Sequence, residues 1–276
     1  MVTSIDTLFI EQFEREVHHE FQRMGSALRN TVRTKNNVRG STARFNIAGT
    51  GVAGSKDRHG IVPIMNADRS KVTATLADRY AGEYIDKLDE LKIEHDERQV
   101  AAQTVAAALG RDVDQILTTA MAATTNSANE TSADTWSDAT EPLSYMAAFG
   151  NNDVPFDGQL YFAVCWEAWA DLIDINEFAN QDYVPGDQLW FAGITAKRWL
   201  GFQYFPFSGL QVDGTGDKIQ LAWHRSAIGH AIGQDFMLDV TWQGKEQAHL
   251  AVGSMSHGAI IIEDEGVLKD VYDITP

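Results

Sequence analysis

The segment Gly49-Thr50-Gly51-Val52-Ala53-Gly54 has the spacing by which a tight turn brings backbone amides against a pyrophosphate. That chemistry also needs a helix starting at the glycines, because the helix N-terminus supplies the donors and the positive dipole end. Here the chain runs on through Ser55-Lys56-Asp57-Arg58-His59-Gly60 and soon meets Pro63, which is not a helix start. The glycines are read as bends in an extended ribbon, with a nucleotide-binding enzyme kept as the alternative. The eight histidines form no chelate in sequence. His18 and His19 are adjacent and point to different sides of a helix. His224 and His230 have no carboxylate in zincin spacing. Asp213-Gly214-Thr215-Gly216-Asp217 lacks the spacing and closing Glu of a calcium loop and reads as a tight turn. There is no nucleophile elbow and no phosphate-binding P-loop. The aromatic cluster Trp190, Phe191, Trp199, Phe202, Tyr204, Phe205 and Phe207 could stack bases or sugars. In an acidic body it reads as core. No enzyme activity, cofactor or metal is expected.

Composition narrows the class further. The chain has 276 residues, enough for one large domain or two modest ones. No apolar run is long enough to cross a membrane as a helix, and the acidic start lacks the pattern of a secretory signal. Cys165 is the only cysteine and sits in the apolar run LYFAVCWEAW, so a buried thiol is expected and no intrachain disulfide can form. Charge is unevenly spread. Residues 1–80 hold 12 basic and 8 acidic residues, whereas the remainder holds 10 basic and 31 acidic. A body this acidic repels nucleic-acid phosphates. A basic arm on an acidic body suits arm-to-body contact between copies, although a solubilising surface with a basic loop has the same composition.

The elements that would carry these residues follow from periodicity. Phe13, Val17, Phe21, Met24 and Leu28 recur at helical spacing between about residues 8 and 29. The next stretch, 33–80, reads as a basic, glycine-punctuated strand–turn–strand ribbon with almost no apolar face. Its expected strands are ARFNIA, GIVPIM and KVTATLA. A two-stranded ribbon is marginal alone and needs a docking surface; with nothing in its own chain to pack on, it is expected to lie across another copy. After a short connection, EYIDKLDELKI, an Ala-rich helix is expected from about Glu94 to Ala123, with Val100, Val105, Ala108, Leu109, Val113, Ile116, Leu117, Ala120 and Met121 in its buried stripe. Gly110 marks either a bend or a close backbone approach. The stretch TTNSANETSADTWSDAT reads as a polar surface segment. EPLSYMAAFG suits a short helix, GQLYFAVC a buried strand, WEAWADLID a helix and KIQLAWHR a strand. The residues from 235 to about 265 alternate as two or three long strands.

This order of parts resembles the major capsid protein of tailed double-stranded DNA bacteriophages, in its podovirus-like branch, whose shell fold is shared with encapsulins. FQRMGSALRNTVR is similar to the family's arm helix. VTATLADRYAGEYIDKLDELKIEHDERQVAAQTVAAALGRDVDQILTTAM resembles its passage from hairpin into spine helix, and WHRSAIGHAIG and SHGAIIIEDEGVLKDV its closing segment. The resemblance implies an α+β fold with an N-terminal arm (1–40), an extended β-hairpin loop (41–80), a peripheral domain with a spine helix and long strands (81–134 and 231–276) and an axial α/β domain (135–230). It implies a structural subunit that self-assembles through hexamers and pentamers into an icosahedral shell in the virion. The shell would be assembled in the host cytoplasm around double-stranded DNA held without specific binding. A separate scaffolding protein and a portal are the expected partners, a decoration protein is allowed, and no membrane is involved. Inter-subunit contacts are expected at Phe13, Val17, Phe21, Arg33, Arg39, Arg44, Lys56, Arg58, Arg69 and Lys71. An encapsulin-like compartment, a nucleotide-dependent enzyme and a carbohydrate-binding or adhesion protein are the competing readings.

Overall fold

A computed structural model describes residues 25–90, 97–127, 135–179 and 196–274. The chain divides into two compact units.

The first unit takes residues 1–25, 79–111 and 236–255. Its described part holds most of strand β4 (Ala77–Asp86), the short helix α1 (Lys87–Glu90) and the first turns of helix α2 (Glu97–Ala122). The later half of β9 (Ile228–Gln243) and the first half of β10 (Ala248–Ile261) complete it. Glu97 opens α2, where the helix dipole favours an acid, and the Ala-rich interior favours helix. Ala101, Val105 and Leu109 recur at helical spacing and are buried; Ala101 packs with Ile85 and Ala251. Two glycines allow close approach. A Cβ on Gly253 would lie 2.5 Å from Val105 Cγ1, and one on Gly110 would lie 2.6 Å from Gly25 Cα. Gly110 is therefore a close backbone approach. In the expected connection EYIDKLDELKI, residues 83–90 are the end of β4 and α1, and 91–93 lie outside the described residues; β4 is an edge strand of the four-stranded sheet β1-β9-β10-β4, in which β1 is Arg33–Lys35.

The second unit takes residues 26–78, 112–235 and 256–276. Its centre is a five-stranded mixed sheet in the order β11-β8-β5-β7-β6. The strands are β5 (Leu160–Val164), β6 (Lys197–Trp199), β7 (Phe202–Pro206), β8 (Lys218–His224) and β11 (Val267–Tyr272). The remaining elements of this unit include β1 (Arg33–Lys35), helices α3 (Thr140–Asn151) and α4 (Trp166–Asp174), and the single turn α5 (Asn176–Ala179). Both faces of β5 are covered, which is why its sequence is a continuous apolar run rather than an alternating one. Cys165 ends that strand in extended conformation, and its sulfur accepts the Ala168 amide at 3.4 Å to start α4. Burial pushes the thiol up to about 11, so it is an inert core group.

Where it is described, the aromatic cluster is core at Trp199, Phe202, Tyr204 and Phe207, with Phe205 half-buried. Phe202 and Tyr204 are fully buried, and Phe162 stacks on Tyr204 at 5.0 Å. Trp190 and Phe191 lie outside the described residues. Trp136, expected on the surface, is buried and meets Phe162 edge-on at 5.5 Å. The polar text around it hid a residue whose size alone makes burial favourable.

Candidate assembly interface

The basic ribbon is a hairpin of β2 (Thr42–Ala48) and β3 (Arg69–Thr75), antiparallel with Thr42 opposite Thr75 and Ala48 opposite Arg69. Side chains alternate across the ladder, so the register sorts them into two faces. One face carries Arg44, Asn46, Lys71 and Arg69 with three threonines, all exposed. The other carries Ala43, Phe45 and Ala74, all buried, with Ile47 beside them.

That second face corrects the expectation of a ribbon with nothing of its own to pack on. Ala43, Phe45 and Ala74 form a core cluster with Ala231 and Ile262, joined by Val38, Leu76 and Ile260. Glycines in the closing strands make the seat. A Cβ on Gly229 would lie 2.8 Å from the Phe45 ring, and one on Gly233 would lie 2.7 Å from Leu76 Cδ2. One on Gly258 would sit 2.9 Å from the Thr75 carbonyl carbon and closer still to its oxygen. The main chain is tied as well: Leu76 donates to the Ser41 carbonyl at 2.9 Å, and Val38 to the Ile232 carbonyl at 3.0 Å. Parallel β1 runs beside β9 and brings Arg33 and Lys35 over the Phe45 ring, each 5.9 Å from its centroid.

Beyond Ala48 and Arg69 the hairpin has no further strand. The Gly49 amide donates to the Asp68 carbonyl at 2.7 Å. Gly51 then lies against the Met65 side chain and Gly54 against Pro63. The expected strand GIVPIM does not form. Pro63 removes a donor, and Ile61 and Ile64 are 94% and 85% exposed with no strand opposite. No helix follows Gly54, so the phosphate-binding reading lacks its donor set.

Arg33, Arg39, Arg44, Lys56, Arg58, Arg69 and Lys71 are all exposed. They lie along the hairpin and its approach, and none is paired with a carboxylate among the described residues. Arg33, Lys35 and Arg44 line one groove of about 330 Å³, whereas Arg69 and Lys71 line another of about 760 Å³ on the same hairpin. Phe13, Val17 and Phe21 lie outside the described residues. Of the arm helix expected to about residue 29, residues 8–24 lie outside the described residues, and residues 25–28 are not helical, with φ of +73° at Gly25. Residues Arg29–Thr31 form a separate short 3-10 turn.

The remaining chemistry-bearing residues are structural. Among the described residues no group of three or more His, Cys, Asp or Glu is placed to hold a metal. Asp213 accepts the amides of Thr215, Gly216 and Asp217 at 2.8–3.0 Å, which makes the expected tight turn. His224 bridges Ser226 and Asp157. His230 is fully buried with its Nε2 3.4 Å from His257 Nδ1, and His257 Nε2 is 3.3 Å from Asp112. Burial first, and His257 second, push the His230 imidazole down to about 4. Burial pushes the Asp270 carboxyl up to about 6. Spacing alone gave no sign of the His230–His257 pair, because the two residues are far apart in sequence and share no motif.

Comparison with known proteins fits this geometry. No curated protein matches the chain. Three similar solved structures are phage or phage-like capsids. The capsid of the cyanophage P-SCSP1u is 17% identical with a TM-score of 0.78, over 100% of this chain and 96% of that one. Mycobacterium phage Che8 gives 15% and 0.77, over 96% and 98%. The capsid of a native gene transfer agent particle gives 11% and 0.75, over 99% of each chain. The fold is that of tailed-phage major capsid proteins. The family profile described as phage capsid protein matches residues 5–273. The chain therefore belongs to the phage capsid protein family and is a structural subunit of a capsid shell.

Proposed function

We propose that the chain closes with identical copies, through hexamers and pentamers, into an icosahedral shell around double-stranded DNA. The observation that carries this reading is the division of labour in the hairpin. Its base is fastened to its own body by Phe45, while its basic face and apolar tip are exposed among the described residues. Exposed apolar side chains on a projecting loop are the kind of surface that a partner covers.

In this reading residues 41–80 are the extended loop and 1–40 the N-terminal arm. Residues 81–134 and 231–276 form the peripheral domain, and 135–230 the axial domain. Arg33, Arg39, Arg44, Lys56, Arg58, Arg69 and Lys71 meet acidic surface on adjacent copies, and Phe13, Val17 and Phe21 seat the arm. Each contact is weak, but several engage at once, so effective concentration makes closure cooperative. The acidic body keeps the packaged genome from adhering to the wall. A separate scaffolding protein, a portal and, where present, a decoration protein complete the virion, whose shell forms in the host cytoplasm.

The test is expression of the chain followed by negative-stain imaging and sedimentation. Closed particles of uniform size are expected. Reversing Arg44, Arg69 and Lys71 to Glu is expected to lower particle yield at low salt while the helicity of the free subunit is unchanged. A chain that stays monomeric at high concentration overturns the reading; a charge-reversed variant that assembles like the wild type removes the contact assignment alone.

A further inference from the structure

Residues 26–32 are held far more firmly than a tether needs to be. Asp114, on the buried side of α2, is 0% exposed, yet it is a carboxylate. Its Oδ1 accepts the Ser26 hydroxyl at 2.5 Å and the Leu28 amide at 3.1 Å, and its Oδ2 accepts the Ala27 amide at 3.1 Å. Ser26 Oγ in turn accepts the Arg29 amide at 3.1 Å. Together they cap the short 3-10 turn that follows, as a helix-capping side chain does, but from 86 residues away in sequence. Leu28 and Val32 are buried to 0% and 1% exposure, and the Trp223 indole donates to the Thr31 carbonyl at 3.1 Å. Arg29 forks onto Asp235 at 2.9 and 2.6 Å.

Immediately before this anchor the chain changes character. Gly25 has φ +73°, a conformation that side-chain-bearing residues rarely adopt. Its backbone rests on Gly110, where an added Cβ would lie 2.6 Å from Gly25 Cα and 2.7 Å from its carbonyl carbon. Glycine inside a helix costs about 1 kcal/mol relative to alanine, so a helix-interior glycine in van der Waals contact with another glycine points to the approach itself as its purpose.

We propose that Asp114 is a positioning residue for the N-terminal arm: with Ser26 it fixes the root of that arm, residues 26–32. This rests on the reading that the arm reaches an identical neighbour. A subunit with a loosened root is then folded but assembles poorly. The Ser26, Ala27 and Leu28 donors also explain why an acid is buried in a helix stripe that is otherwise apolar apart from Thr118, since an unpaired buried charge would be strongly unfavourable.

The test compares Asp114→Ala, Asp114→Asn, Ser26→Ala and Gly110→Ala with the wild-type full-length chain. Hydrogen exchange of the Ala27 and Leu28 amides is expected to rise at least tenfold in Asp114→Ala and less in Asp114→Asn, which keeps one acceptor oxygen. Gly110→Ala keeps Asp114 and gains helix propensity, while its Cβ overlaps the Gly25 main chain, so the free subunit should melt a few degrees lower at most and no lower than Gly258→Ala. Its yield of closed, uniform particles should nevertheless drop about tenfold, with mis-sized or open particles in their place. A merely structural residue would move melting and assembly together. Should Asp114→Ala fail to fold, Ser26→Ala and Gly110→Ala carry the test. Normal exchange at both amides, or particles of normal size and yield from Gly110→Ala and Ser26→Ala, overturns the proposal. A wild-type chain that forms no particles counts against the shell reading instead, and the exchange measurement still decides the anchor.

Discussion

Replacing Gly258 with alanine adds one methyl group to β10 at the place where the hairpin base comes closest. The atoms it meets are the Thr75 carbonyl carbon at 2.9 Å and Leu76 Cα at 3.4 Å, with the Thr75 oxygen nearer than either. All three are main chain, so no rotamer change relieves the overlap. Alanine is favoured over glycine in a strand by about 0.5–1 kcal/mol, because glycine loses more freedom on folding. The overlap opposes this with about 1–3 kcal/mol of overpacking. If the base lifts off its seat, Phe45 is uncovered, and the ceiling becomes the roughly 3–5 kcal/mol typical of losing a buried phenylalanine. The clash wins, and net destabilisation of about 1–3 kcal/mol is expected. At roughly 2–4 °C per kcal/mol for a domain of this size, the midpoint falls by about 2–12 °C.

Thermal melting of the unassembled subunit reads this, with Gly214→Ala as the control. Gly214 has open space around its missing Cβ. That variant is expected to melt within about 1 °C of the wild type, as surface changes away from special features do. Trypsin supplies a second reading. Arg44 and Lys71 sit in paired strands, and lifting the base should expose both to early cleavage in Gly258→Ala. If Gly258→Ala melts with the control and is cut no faster, the glycines are not a seat and the packing argument for the hairpin base fails.

Two buried ionisable groups make opposite demands on pH. His230, held down to about 4, is neutral in the native state while an unfolded histidine titrates near 6.5. Its contribution is complete above pH 6.5 and is lost as pH falls toward 4, by about 3 kcal/mol in all. Asp270, held up to about 6, works the other way. Its native form keeps the proton that the unfolded chain releases near 3.9, so stability is lost as pH rises from about 4 to 6, again by about 3 kcal/mol. Denaturant titrations of the wild type across this window should therefore be nearly flat. Asp270→Asn should be the more stable protein above pH 6 and equal to the wild type below pH 4. The same variant should unmask a steep loss of stability on acidification, and a flat profile in it contradicts the assignment to His230.

Much of the architecture could be read from periodicity alone. Helix α2 buries Val105, Leu109, Val113, Leu117 and Met121 of the expected stripe and leaves Val100, Ala108, Ile116 and Ala120 half-buried, and β5, α4 and β8 occupy the segments whose apolar runs were long enough to have one interpretation. Strand β4 was hidden because it lies at a sheet edge with most of its residues exposed, so it carries no alternation. GIVPIM was misread for the opposite reason: its residue types favour a strand, but the limb across from it is Gly- and Ser-rich and offers no partner.

The deeper gap concerns the two places where the chain's projecting parts are fastened. Phe45 is one aromatic in a basic ribbon, and nothing beside it in sequence says that it is buried. The statement is made elsewhere, by Gly229, Gly233 and Gly258, which only tertiary contact brings beneath the hairpin. Asp114 reads locally as a polar break in an apolar stripe, and Ser26 as an ordinary turn residue; their pairing spans 88 positions. Glycine and aspartate have many local uses, so neither signal stands out until the fold supplies its partner. Local text specifies elements because their stabilising contacts are a few residues apart. It is silent about where those elements are hung, because the deciding contact there is the absence of a side chain, or one carboxylate, in a strand or helix formed for other reasons. In the proposed shell those fastening points would govern how the hairpin and the arm meet neighbouring copies. The geometry of assembly therefore rests on the residues that sequence patterns describe least.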